Sequence, residues 1–231
     1  MKIVPMEKDF VLARCIHCGP FSLANIEEMR SSEPAGSEEQ FERNRQFLTR
    51  MIDAYGSCGM MAIDGDLVVA HARFCPQAIC DQCQFCCQDP RAPITQEMVE
   101  MELPILENRD DRVLRIDCFL VNADYRGQGL SHALIEAILD WAKEHDWKAV
   151  RAYAAPDNYW LSSQICQPML RTYAKHDFET IETAPSPEVE ECLTQFRDGE
   201  LGDEKRKEFE EFCGGQELSE LSLLHTVQRE L

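Results

Sequence analysis

The chain has 231 residues, 42 of them acidic and 23 basic, for a formal net charge of -19. That length suits one domain of ordinary size with a true hydrophobic core, and 44% apolar residues exclude wholesale disorder. So acidic a chain is excluded as a phosphate-backbone binder, which gains affinity by releasing counterions with Lys and Arg, and anionic membrane surfaces repel it. No uninterrupted apolar run reaches the roughly 18 residues of a membrane span. The opening residues 1–9 lack the apolar core of a secretory leader. A cytoplasmic protein without nucleic-acid or membrane partners is expected.

In chain order, residues 10–14 read as a short strand, and Ser22 as the cap of a helix with Leu23, Ile26 and Met29 on one face. Pro34 and Gly36 break the chain. Ser37 and Gln40 have capping-box spacing ahead of Phe41, Leu48, Met51, Ile52 and Tyr55 at helical intervals. Apolar runs 58–63 and 67–74 flank Asp64-Gly65, a hairpin signal. Residues 75–93 form a cysteine- and proline-containing loop, and 95–106 a helix that Pro104 ends or kinks. Residues 112–121 are a strand rich in Val, Ile, Leu and Phe, 122–128 a turn, and 130–142 an amphipathic helix. A strand at 149–154, a helix from Pro168 to about 176 and a strand at 178–183 follow. Helices at 188–196 and 203–212 and a strand at 221–227 close the chain.

The acidity is uneven. Residues 179–220 hold 14 acidic against 4 basic side chains, about half the net charge. Such a run reads either as a solvated surface or as an attractor of cationic partners. Twelve cysteines are the other outlier. Without an export signal they read as metal ligands or buried thiols rather than a disulfide framework.

The stretch richest in chemistry runs from Arg115 to Ile135. A strand passes through Arg126-Gly127-Gln128-Gly129 directly into a helix. Small residues there let a ligand approach the backbone, and unpaired first-turn amides at the positive end of the helix dipole make an anion cradle. The Gly-Lys-Ser ending of a P-loop and the third glycine of a dinucleotide fingerprint are both absent.

Arg126-Gly127-Gln128-Gly129-Leu130-Ser131 resembles the signature of the GCN5-related N-acetyltransferase (GNAT) family: Arg or Gln, two residues, Gly, one residue, Gly or Ala. Ser131 stands in the last place. The Cys118-Phe119-Leu120-Val121 strand is similar, and Tyr173-Ala174-Lys175-His176-Asp177-Phe178 resembles the family's Tyr-x-Lys-x-Gly-Phe ending, with Asp177 for Gly. The resemblance implies an α/β fold with a mixed, mostly antiparallel central sheet flanked by helices. It implies a single domain over 1–231, with the cysteine-rich loop at 75–93 and an acidic helical insertion at 184–218.

It also implies an N-acetyltransferase that moves an acetyl group from acetyl-CoA to a primary amine. The pyrophosphate would lie on the amides of Arg126, Gly127, Gln128, Gly129, Leu130 and Ser131. The pantetheine arm would pair with the backbone of Phe119, Leu120 and Val121. Tyr173 occupies the place of the family's proton donor to the leaving thiolate. An amine attacks only when unprotonated, and Asp117, on the same strand face as Phe119 by alternation, is the candidate acceptor. Cys118 is read as packing. The insertion borders the acceptor side in this layout, so a small or cationic amine is expected. The oligomeric state is open, with a homodimer among the options.

In the same layout two cysteine loops lie at the acceptor end. Cys15 and Cys18 with Cys80, Cys83 and Cys86 have spacing adequate for a thiolate metal site, with zinc ahead of iron-sulfur. Thiols lining a pocket and a disulfide are the other readings. A non-catalytic metal- or thiol-dependent sensing module on the same fold is the alternative function.

Overall fold

The structure, a computed structural model, describes residues 1–8, 21–22, 37–83, 94–199 and 203–231. It divides into two compact units, Met1–Arg151 with Glu230–Leu231, and Ala152–Arg229. The sheet is mixed and mostly antiparallel and is flanked by helices, as expected.

In the first unit, β1 (Lys2–Pro5) pairs antiparallel with β3 (Gly59–Asp64), and β3 with β4 (Leu67–Pro76). The register Asp64↔Leu67 leaves Gly65 and Asp66 as a two-residue loop. The turn therefore sits one residue later than Asp64-Gly65. Gly65 supplies φ of 64°, the left-handed value that tight hairpin turns require. Ser22, expected as a helix cap, is instead in β2 (Phe21–Ser22), paired with Leu67 and donating from its hydroxyl to Asp66. The expected strand at 10–14 and the helical face of Leu23, Ile26 and Met29 lie outside the described residues.

Helix α1 (Ser37–Tyr55) forms as its periodicity predicts, burying Phe47, Leu48 and Met51. The segment 75–93 is not loop from its start. β4 runs through Pro76 and α2 (Gln77–Cys83) follows at once. The helix expected over 95–106 is only α3 (Gln96–Glu100), capped by the Thr95 side chain. Arg50 of α1 donates to the carbonyls of Val99 and Met101, and Tyr55 to that of Pro104. These carbonyls are thus satisfied without further helical turns.

β5 (Val113–Val121) pairs antiparallel with β4 and leads, through a single 3₁₀ turn at Ala123–Tyr125, into α4 (Leu130–Glu144). The buried face of α4, including Leu134, Ile135, Ile138 and Ala142, packs on β1, β3, β4 and β5. β6 (Ala149–Ala154) neighbours β5. A helix between neighbouring strands is the connection that parallel strands need.

In the second unit, α5 (Tyr159–Ile165) was not anticipated, although Asn158 caps it by accepting from Leu161 N. The next helix, α6 (Leu170–Ala174), starts later than Pro168. The Pro168 carbonyl accepts from Ala155 N and Met169 bridges Ala155 in parallel, so this stretch runs extended first. β7 (Glu179–Pro185) pairs antiparallel with β8 (Leu223–Glu230).

Between them the acidic insertion folds as α7 (Pro187–Asp198), α8 (Asp203–Cys213) and α9 (Leu218–Leu221). Val189, Leu193 and Phe209 of the insertion bury against Leu161, with Trp160, Phe196 and Phe212 around them. Among the described residues, no helix is long and apolar enough to cross a membrane.

Candidate active site

The strand-turn-helix from β5 to α4 is built by local hydrogen bonds. Asn122 N donates to the Val69 carbonyl, 2.9 Å, and the Asn122 side chain accepts from Asp124 N, 3.1 Å. Arg126 N donates to the Ala123 carbonyl, and the Arg126 Nε to the Val121 carbonyl, 3.2 Å each. The arginine is thereby folded back on the strand end. Gly127 and Gly129 both take left-handed φ, 76° and 82°.

Among the described residues, a Cβ built at either glycine meets nothing within 4 Å, so conformation rather than crowding requires glycine. Gly129 is the N-cap of α4 and offers no capping side chain. The first-turn amides of the 15-residue α4 therefore face outward with the positive end of the helix dipole. All four residues from Arg126 to Gly129 are exposed, Leu130 is buried, and Ser131 is half-buried in the first turn. The arrangement suits a pyrophosphate.

Phe119, Leu120 and Val121 pair with Ala72, His71 and Ala70 of β4. In such a ladder alternate backbone groups point to the opposite edge of the strand.

Asp117 lies on β5 at an irregularity. Arg73 pairs with Cys118 but Phe74 with Ile116, so Asp117 is the extra residue of a β-bulge. A bulge interrupts the strict alternation on which its expected facing rested, and it re-aims the side chain. Asp117 is 1% exposed. Its Oδ2 accepts from the Cys75 thiol at 3.0 Å and its Oδ1 from the Cys80 thiol at 3.6 Å. Buried Arg115 stands 3.7 Å from Oδ1 and donates to Gln77 Oε1, 3.3 Å. On the same strand, Cys118 Sγ is 3.7 Å from Nε2 of buried His71.

Of the proposed metal ligands, Cys80 sits in α2 with its sulfur 3.2 Å from that of Cys75. Cys83 is the last residue of α2. Cys15, Cys18 and Cys86 lie outside the described residues. Cys75, at the end of β4, belongs to this group and was placed only at its margin by the sequence. The alternation of β4 and the helical start at Gln77 were the missing signals.

Tyr173, in α6 of the second unit, is fully buried, with its ring edge-on to Phe178 at 5.1 Å. Its hydroxyl has no hydrogen-bond partner among the described residues, and burial pushes the phenol well above its ordinary pKa, so it holds its proton. Asp177 takes φ of 58°, the conformation for which glycine is usual at this place, so the turn survives the exchange. Arg229 supports it, donating to the His176 carbonyl at 2.7 Å and standing 3.8 Å from the Asp177 carboxylate.

The sequence profile of the acetyltransferase (GNAT) family matches residues 23–160. No curated protein matches the chain significantly. Among solved structures, one described as an acetyltransferase shares 14% identity over 100% of this chain and 99% of that one, with a TM-score of 0.50. Ribosomal-protein-alanine N-acetyltransferase from Brucella melitensis shares 13% over 100% of both chains, TM-score 0.49. Ard1 from Thermoplasma volcanium shares 13% over 100% of this chain and 97% of that one, TM-score 0.46.

Proposed function

We propose, from the premise that this chain belongs to the acetyltransferase (GNAT) family, that it transfers an acetyl group from acetyl-CoA to the primary amine of a small or cationic acceptor. The observation that carries this reading is the paired left-handed glycines, Gly127 and Gly129, opening the backbone at the start of α4. The amides from Gly127 to Ser131 bind the pyrophosphate, the Arg126 amide being held by the Ala123 carbonyl, and the backbone of Phe119, Leu120 and Val121 binds the pantetheine arm. Acetyl-CoA supplies the activated acyl group; the amine attacks its carbonyl and the thiolate leaves.

Tyr173 gives the thiolate its proton. The role rests on the likeness of the Tyr173–Phe178 segment to the family's ending; burial raises the phenol's pKa, so the proton is still on it at neutral pH. In this reading Asp117 is not the proton acceptor. Both its oxygens are engaged by thiols, and the Arg115 guanidinium stands 3.7 Å from Oδ1, so the carboxylate is already partnered. The amine loses its proton to water instead. The acceptor is assigned as cationic from the net charge of -19 and from the exposed carboxylates of Glu190, Glu191, Glu208, Glu210 and Glu211.

Calorimetry with acetyl-CoA tests the reading. Saturable binding to the wild-type chain that Gly129→Glu abolishes is expected, since bulk and charge then oppose the pyrophosphate. No heat and no thermal shift at millimolar acetyl-CoA overturn it. A panel of polyamines, aminoglycosides, amino acids and peptides then identifies the acceptor.

A further inference from the structure

We infer that Cys75, Cys80 and Asp117 form a binding site for one thiophilic divalent metal ion of the zinc class. The site is independent of the acyl-transfer reading. Three elements converge to make it. Cys75 is the last residue but one of β4, Cys80 lies one helical turn into α2, and Asp117 stands at the β5 bulge within reach of both. Their ligand atoms all lie within 4.8 Å of one another, and all three residues are buried, at 2, 5 and 1% exposure.

The two sulfurs are 3.2 Å apart and unbridged. A tetrahedral ion with bonds of about 2.0–2.3 Å needs neighbouring ligand atoms roughly 3.3–3.8 Å apart. The 3.2 Å between the sulfurs and the 3.0 Å from Cys75 Sγ to Asp117 Oδ2 open to that with small side-chain rotations, and the three ligand atoms already lie within 4.8 Å of one another. Water completes the fourth position.

The charges balance as well. Before an ion binds, two neutral thiols surround a carboxylate balanced by the buried Arg115 guanidinium. When an ion binds, both thiols lose their protons. Two thiolates and one carboxylate are then matched by the divalent ion and Arg115. The cluster is neutral in both states, so exchanging two protons for one ion leaves no uncompensated buried charge. Two soft sulfurs with one oxygen favour zinc, or cobalt as its spectroscopic substitute, over calcium or magnesium.

The test uses the full chain, reduced and stripped of metal without air, and titrated with Zn²⁺ against a chromophoric chelator and with Co²⁺. One equivalent is expected, with a thiolate-to-cobalt charge-transfer band. Cys75→Ser and Cys80→Ser should each halve that band and weaken binding at least 100-fold, and Asp117→Asn should weaken it about 10-fold while keeping the band. Because these variants are buried, two measurements on the wild-type chain guard against misfolding. Affinity should fall about 100-fold per pH unit below the thiol pKa values as two protons compete, and X-ray absorption of the zinc-loaded chain should show two sulfur and two oxygen or nitrogen neighbours. A four-sulfur shell overturns the assignment. So does binding that survives Cys75→Ser with Cys80→Ser but is lost in Cys15→Ser with Cys18→Ser, and so does the absence of a bound equivalent.

Discussion

Trp160 stacks on Phe212, with ring centroids 4.6 Å apart and planes 28° from parallel. The same indole meets Phe196 at 5.2 Å and Phe209 at 5.6 Å. The acidic insertion is therefore held by an aromatic cluster, and the carboxylates of Glu190, Glu191, Glu208, Glu210 and Glu211 on α7 and α8 are exposed.

Trp160→Ala should accordingly loosen α7 and α8. Loss of a partly buried indole in three ring contacts is expected to cost about 2–3 kcal/mol. Urea unfolding measures the loss, and limited proteolysis should find new cleavage within 187–213.

Gly129→Ala isolates conformation from bulk. A methyl group there touches nothing within 4 Å, but φ of 82° is disfavoured for alanine by about 1–2 kcal/mol. The junction should shift to relieve this. We expect acetyl-CoA affinity to fall roughly 10-fold by calorimetry, with a thermal midpoint only a few degrees lower.

Tyr173→Phe separates function from packing. It removes a buried hydroxyl without a protein partner, so stability should hold or rise by about 1 kcal/mol. A donor's loss should lower kcat about 10²-fold while KM for acetyl-CoA changes little. Unchanged kcat would reduce Tyr173 to a packing residue.

Stability should fall in alkaline solution. Burial pushes the Cys58 thiol from its ordinary value of 9.0 up to about 12, and Tyr173 is raised in the same direction. Above pH 9 the unfolded chain releases the Cys58 proton while the folded chain keeps it. The unfolded state then binds fewer protons, and stability declines by about 1.4 kcal/mol per pH unit between pH 9 and 12 for this group. Urea unfolding from pH 8 to 11 should show the slope, and Cys58→Ala should lessen it.

For a cationic acceptor, kcat/KM should fall as salt rises from low ionic strength, while kcat changes little. Steering by the -19 net charge is screened over about 8 Å at physiological ionic strength. The same field repels the anionic coenzyme, whose apparent affinity should improve with salt. Indifference of both would make the acidic insertion a solvated surface only.

What the sequence determined by itself was the part written in local pattern. Helical spacing from Phe41 to Tyr55, the apolar runs around Gly65 and the glycine pair before Leu130 each encode their geometry within a few residues. These fix α1, the β3–β4 hairpin and the β5–α4 cradle. Tertiary structure alone decided the rest. Lys2–Pro5 becomes a strand because β3 offers its edge, and α3 stops at Glu100 where Arg50 and Tyr55, about 50 residues earlier, take the following carbonyls. Asp117 leaves regular alternation at a bulge that exists only in register with β4, and so meets Cys75 and Cys80, 42 and 37 residues away. Such pairings depend on strand register and burial, which appear only when distant segments pack together.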